Sequence, residues 1–289
     1  MSQTTGTNTF THGHDTFQTW YKVVGDLKSG GRPLVTLHGG PGLLHHYMLP
    51  HIDLCASHAI PVIFYDQVGN GKSSHVKDKP KEFWQLDLFM DELDSLLEHL
   101  GIRDNFDLLG HSWGGMFASH YAATRCPPGL RHLVIVGAGA SMELWLEGLN
   151  NLLRLLPQDM QDVLKKHEDD GTTDSQEYRS ALKIFYKKHI CSLDPWPEFL
   201  LKSFSIVNED PTVNVAMFGD FFFTCNGTMK TWSIVGKLEN ISSSTFRRTG
   251  EVLHSCWRIF DVVVGFELHL IGFRGVRRDN VLIIFHYYE

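Results

Sequence analysis

A serine set between glycines, Gly110-His111-Ser112-Trp113-Gly114, is the stretch of this chain best suited to covalent chemistry. A serine hydroxyl attacks a carbonyl carbon only when it is presented at a fixed angle and a base removes its proton. The flanking residues meet the first condition. Phe106, Leu108 and Leu109 form a short apolar run ending at Gly110, which reads as a buried strand, and Met116, Phe117, Ala118, Tyr121 and Ala122 recur at helical spacing. A strand that turns sharply into a helix projects the middle serine at the carboxyl edge of a sheet. Glycines flank such a corner because side chains would clash as strand and helix close up. The competing role for Ser112 is that of a helix cap; the strand–turn–helix context favours the nucleophile.

A second stretch supplies what a nucleophile needs next. Pro33-Leu34-Val35-Thr36-Leu37 reads as a strand and runs into His38-Gly39-Gly40-Pro41-Gly42. Acyl transfer requires N–H donors aimed at the oxygen that becomes negative in the transition state. The backbone N–H groups of Gly40 and Trp113 are the two candidates, against the plainer reading of residues 38–42 as a Gly/Pro turn. A third strand, Ile60 to Tyr65, leads into Asp66-Gln67-Val68-Gly69-Asn70-Gly71-Lys72-Ser73-Ser74. Its end imitates a phosphate-binding loop, but Asp66 stands where that motif requires glycine, and an acid there repels phosphate. The segment is therefore expected to be a structural loop beside the serine.

Taken in order, H-G-G-P-G, D-Q-x-G-x-G-x-S and G-x-S-W-G-G resemble the proline iminopeptidases and related fungal amino-acid amidases of the α/β-hydrolase superfamily. The likeness covers roughly residues 15–240, including Thr19 to Gly25 and Gly227 to Trp232. It implies a serine hydrolase that removes an N-terminal proline or another small amino-acid residue, acts on a small molecule or short peptide, and needs no cofactor. In that family acidic side chains hold the substrate's α-amine. The matching position in the cap is Phe222, with Asp220 the nearest acid.

Strand and helix patterns alternate through the first half of the chain. A hairpin is expected over 10–26 and strands at 33–38, 61–66, 106–110 and 131–136. A helix at about 83–100 carries the stripe Leu86, Phe89, Met90, Leu93, Leu96, Leu97 and Leu100 and is ended by Gly101. Such alternation predicts an α/β fold: a mostly parallel sheet with helices on both faces. Beyond Gly139 the pattern becomes helical, near 142–153, 158–168, 175–190 and 197–208. The resemblance makes this a helical cap over Ser112. The expected organisation is a polar segment at 1–14, a hydrolase core at 15–140, a cap at 141–226, a return to the core at 227–242 and an atypical tail at 243–289.

A net charge of −7 disfavours nucleic acid or an anionic membrane as partner. No apolar run of membrane-spanning length is present, and residues 1–14 lack the apolar stretch of a secretory signal. The five cysteines are scattered, which suggests free thiols and a cytoplasmic setting. The 17 histidines contain no H-E-x-x-H and no zinc-like cluster. His12, His14, His45, His46, His51 and His58 are expected at the surface or in packing, with no metal.

The triad partners of Ser112 are harder to place. They should follow it in the order acid, then histidine. The likeness breaks off near residue 243, where Arg247 and Arg248 fall on the expected buried strand, and an unpaired buried arginine is strongly unfavourable. Glu251, Asp261 and Asp279 are candidates for the acid, and His254, His269 and His286 for the histidine. None has the strand–loop setting of the family. The abrupt break reads as a replaced tail, as a reading-frame change or retained intron would produce. It predicts a bare sheet edge and impaired activity, the alternative functions being an inactive hydrolase-like product or a carboxylesterase-type hydrolase of a small metabolite.

Overall fold

The computed structural model describes residues 1–241 and 281–284. Strands β1 (Gln3–His12) and β2 (Asp15–Val24) form an antiparallel hairpin. There follow β3 (Leu34–Leu37), helix α1 (Asp53–His58), β4 (Val62–Tyr65), α2 (Leu86–His99), β5 (Phe106–His111), α3 (Trp113–Arg125) and β6 (Leu130–Val136). Five helices come next: α4 (Met142–Leu153), α5 (Gln158–Asp169), α6 (Gln176–His189), α7 (Glu198–Glu209) and α8 (Thr212–Met217). With strand β7 (Val281–Ile284), the described residues form one seven-stranded sheet in the order β1-β2-β4-β3-β5-β6-β7. From β4 to β7 all neighbours are parallel.

The central strands are short and apolar throughout because both faces are covered. Successive residues supply opposite faces. Ile63, Tyr65, Val35, Leu37, Leu108, Leu133 and Ile135 pack with α2 and α3, whereas Val62, Phe64, Leu34, Leu109 and Val134 pack with Leu54 of α1 and Leu200 of α7. Helix α2 buries Phe89, Leu93, Leu96 and Leu97 and stops at Gly101, whose φ of 67° suits glycine. Two cap helices start as their sequence suggests, α5 after Pro157 and α7 after Pro197, while Ser141 caps α4 through the Leu144 N–H. Helix α8, six residues long, is too short to show a period and was not legible beforehand.

Two expectations need correction. The hairpin covers 3–24 rather than 10–26, so most of the polar segment 1–14 is a strand. Its Thr-rich residues suit an exposed outer strand of the sheet, where only Asn8 and Phe10 are buried. The sheet edge beside β6 is not bare either, for Leu133 to Val136 pair with Val281 to Ile284. An edge offers backbone groups to any β-prone run, whatever its side chains.

Candidate active site

Strand order decides where the chemistry sits. β3 lies between β4 and β5, and all three run parallel, so the segments after Leu37, Tyr65 and His111 emerge side by side at one edge of the sheet. That edge is where open α/β sheets bind their ligands.

Ser112 occupies the turn between β5 and α3 with φ 55° and ψ −123°, a conformation that costs a non-glycine residue on the order of 1–3 kcal/mol. The surroundings enforce it. The Ser112 N–H donates to Val136 O at 2.8 Å, and its carbonyl accepts from Gly115 and Met116 N–H at 2.9 and 3.0 Å. Although Ser112 stands at the N-cap position, its side chain makes no capping bond, so the capping role is not what the hydroxyl performs. A Cβ on Gly110 would lie 2.1 Å from Gly114 O, and one on Gly114 would lie 2.2 Å from Leu37 O. Each glycine is there because another backbone occupies the space.

The glycine loop lies directly against this turn. A Cβ on Gly39 would come within 3.2 Å of Ser112 Cβ. Gly40 has φ 119°, which only glycine adopts freely. Trp113 is the first residue of α3, so its N–H belongs to the first-turn amides that a helix leaves without an internal acceptor.

Two buried side chains that the sequence did not single out tie these pieces together. Gln67 accepts from Trp113 Nε1 at 2.9 Å, and its backbone N–H donates to His38 Nε2 at 3.1 Å. Burial lowers the His38 pKa to about 4, against the opposing pull of its bond to Gly39, so the ring is neutral at physiological pH. With Nε2 accepting, Nδ1 carries the proton and donates to Gly39 O at 3.0 Å. The Gly39 carbonyl and the Gly40 N–H share one planar peptide and point opposite ways. Anchoring the carbonyl on His38 therefore aims the N–H away from it. The only advance signal was that Gln67 and His38 fall inside conspicuous motifs.

The phosphate-loop imitation is explained as well. Asp66 is buried; its Oδ1 accepts from the His45 N–H at 3.1 Å and lies 2.7 Å from His45 Nδ1, and its Oδ2 accepts from the Lys72 N–H at 3.2 Å. Burial alone would raise its pKa, but the bond to His45 and that ring's charge outweigh it, and the carboxyl stays below its ordinary value. This loop folds around an internal carboxylate. Of the remaining histidines considered, His51 is buried and bonded to Met48 O, His12 meets Asp91 at 2.7 Å, and His46 stacks on His45. His14 and His58 are exposed. The four cysteines among the described residues are free.

Phe222 belongs to the interior packing of the cap. Its ring meets Phe185, Tyr186 and Phe223, and its N–H donates to the buried Glu168 at 2.8 Å. Asp220 is exposed. Glu251, Asp261, Asp279, His254, His269 and His286 lie outside the described residues, as do Arg247 and Arg248. The described residues thus bring together Ser112, Gly40 and Trp113.

Comparison with known proteins follows the same lines. The sequence matches the α/β hydrolase fold family over residues 32–188. It is 33% identical over 225 residues to the proline iminopeptidase of Heyndrickxia coagulans, a match spanning 78% of this chain and 76% of that protein. The fold superimposes on the crystal structure of VinJ with a TM-score of 0.77 at 45% identity, covering 82% of this chain and 79% of the other. The crystal structure of proline iminopeptidase from Mycobacterium smegmatis gives a TM-score of 0.74 at 35% identity, with the same coverage of 82% and 79%.

Proposed function

The chain belongs to the proline iminopeptidase family of the α/β-hydrolase fold, and from that premise we propose that Ser112 is the nucleophile of a serine hydrolase that cleaves an amide or ester bond. The observation that carries this reading is the backbone of Ser112, held at φ 55° with the glycine loop packed against it. Strain of this kind persists only where the surrounding structure over-determines it. Here it lifts the hydroxyl off the helix it would otherwise cap.

In the reaction the Ser112 oxygen adds to the carbonyl carbon as its proton passes to a general base. Negative charge gathers on the former carbonyl oxygen, where the Gly40 and Trp113 N–H groups receive it. These donors are already oriented by His38, Gln67 and the start of α3, so they need no rearrangement as charge develops. Collapse of the tetrahedral adduct expels the leaving amine or alcohol, and water releases the acyl group. The relatives' name, proline iminopeptidase, supports removal of an N-terminal proline, and the same chemistry extends to another small amino-acid residue on a small molecule or short peptide.

A fluorophosphonate probe and a proline arylamide test this reading on the full chain. Labelling should fall on Ser112 alone and vanish in Ser112→Ala, with arylamide turnover reduced by roughly 10³-fold or more. Labelling that persists in Ser112→Ala sinks the assignment.

A further inference from the structure

Tyr47 touches both segments that meet at Ser112. Its ring is buried, and its Oη accepts the Gly39 N–H at 2.5 Å while lying 3.0 Å from His111 Nδ1, on the residue just before the nucleophile. Burial raises the phenol's pKa, against the opposing effect of the Gly39 amide, so the group keeps its proton. While accepting from Gly39, the same hydroxyl stands in hydrogen-bond contact with His111 Nδ1. One hydroxyl therefore bonds across from the glycine loop to the end of β5.

The tyrosine is itself held. Its N–H donates to Ser203 Oγ of α7 at 3.1 Å, and the Ser203 hydroxyl is also within 3.3 Å of Leu44 O. The imidazole of His111 meets the Tyr47 ring edge-on, with centroids 5.4 Å apart. Gly39 is consequently fixed on both sides: Tyr47 holds its N–H, and His38 and the Leu43 N–H hold its carbonyl. Without the Tyr47 oxygen the peptide before Gly39 keeps only the 3.4 Å contact from Gln67 Nε2 to the His38 carbonyl, so the segment that carries the Gly40 N–H is held less firmly.

We infer that Tyr47 is a positioning residue for the reaction, fixing the Gly39–Gly40 segment relative to Ser112 so that the Gly40 N–H meets the developing oxyanion. The inference rests on Ser112 being the nucleophile. A misplaced donor weakens the transition state while leaving ground-state binding intact, so the loss falls on kcat and spares KM.

Tyr47→Phe removes one oxygen and keeps the ring. Its Gly39 amide should exchange with solvent deuterium about 10-fold faster or more, while the amides of β3 keep their protection. For Ser112-dependent turnover of a proline arylamide, kcat should fall by roughly 10–100-fold with KM within about 2-fold of the parent. Binding of a prolyl boronic acid, whose adduct places an oxygen at the donors, should weaken in step with kcat, whereas free proline should bind as before. A purely structural role would lower all of these together. Ser203→Ala, which releases the Tyr47 backbone, should show the same split at smaller size and serves if Tyr47→Phe does not fold. Unchanged Gly39 exchange, or unchanged kcat and boronate affinity in a parent with normal Ser112-dependent turnover, overturns the inference. A parent with no Ser112-dependent turnover overturns the hydrolase reading, and the catalytic role of Tyr47 falls with it, while the exchange result still reports whether Tyr47 holds Gly39.

Discussion

The turn at Ser112 and the interior of the cap are built by opposite means. At the turn, backbone meets backbone, and Gly110 and Gly114 are needed because the space of one added carbon is already taken. In the cap, side chains make the structure. Phe185 is fully buried, with ring centroids 5.0 Å from Phe223 and 5.6 Å from Phe222. Glu168 accepts from Tyr178 Oη and from the N–H groups of Phe222 and Phe223 through one carboxylate oxygen. The turn tolerates nothing added, and the cap nothing removed. Rigid geometry at the serine comes from the first kind of construction, whereas the second gives a set of helices whose shape follows its side chains.

The largest effect that would sharpen this contrast is Gly114→Ala. The new methyl would sit 2.2 Å from Leu37 O, a backbone atom that cannot swing aside. A loss of roughly 3 kcal/mol or more is expected, together with loss of Ser112 labelling; urea unfolding and the fluorophosphonate probe measure both. A near-neutral result would mean that strand and helix can separate without harm. Next in size is Phe185→Ala, expected to cost about 3–5 kcal/mol. Its damage should concentrate in the cap, so hydrogen exchange should rise in α5 and α6 while β3 and β5 stay protected. Equal loss of protection in the strands would show that cap and core unfold as one unit.

The smallest effect separates two buried glutamates, one on each side of the comparison. Glu168 in the cap accepts three hydrogen bonds. In the core, Glu92 of α2 accepts from Thr19 Oγ1 at 2.5 Å and from the Val68 N–H at 2.8 Å, both on Oε1, and its Oε2 has no partner among the described residues. Burial raises its pKa from 4.5 to about 8, despite these two bonds. Because the folded state holds a proton that the unfolded chain has released, this group favours folding fully below pH 4.5, and that contribution is lost as pH rises to about 8. Glu92→Gln should flatten the fall in stability across that window. An identical pH slope in parent and variant would show that Glu92 is not the group responsible.

Much of the core was legible because its signals are local. The apolar stripe of α2 and the short strands at 34–37, 62–65 and 106–111 follow from the spacing of neighbouring residues, as do the four longer cap helices. The corner at Ser112 was legible too, since five consecutive residues encode it. The linkage around the serine was not. Tyr47 and His111 stand 64 residues apart, and Gln67 and His38 stand 29 apart. No periodicity marks a side chain whose partner lies on another strand. Strand β7 was misjudged for a related reason: its apolar run showed β-propensity, but not which edge would receive it.

By itself the sequence determined the strand–helix alternation, the glycine-lined turn with Ser112 at its apex and the loop carrying Gly40, because each depends on short-range sterics and local spacing. Only the tertiary structure decided that these belong to one site. Parallel placement of β3 between β4 and β5 sets the ends of three distant strands side by side, and there Gln67 bonds His38 while His38 and Tyr47 both bond Gly39. Buried polar groups must find partners, and which partners are within reach is a property of the sheet order, which no local stretch of the chain records.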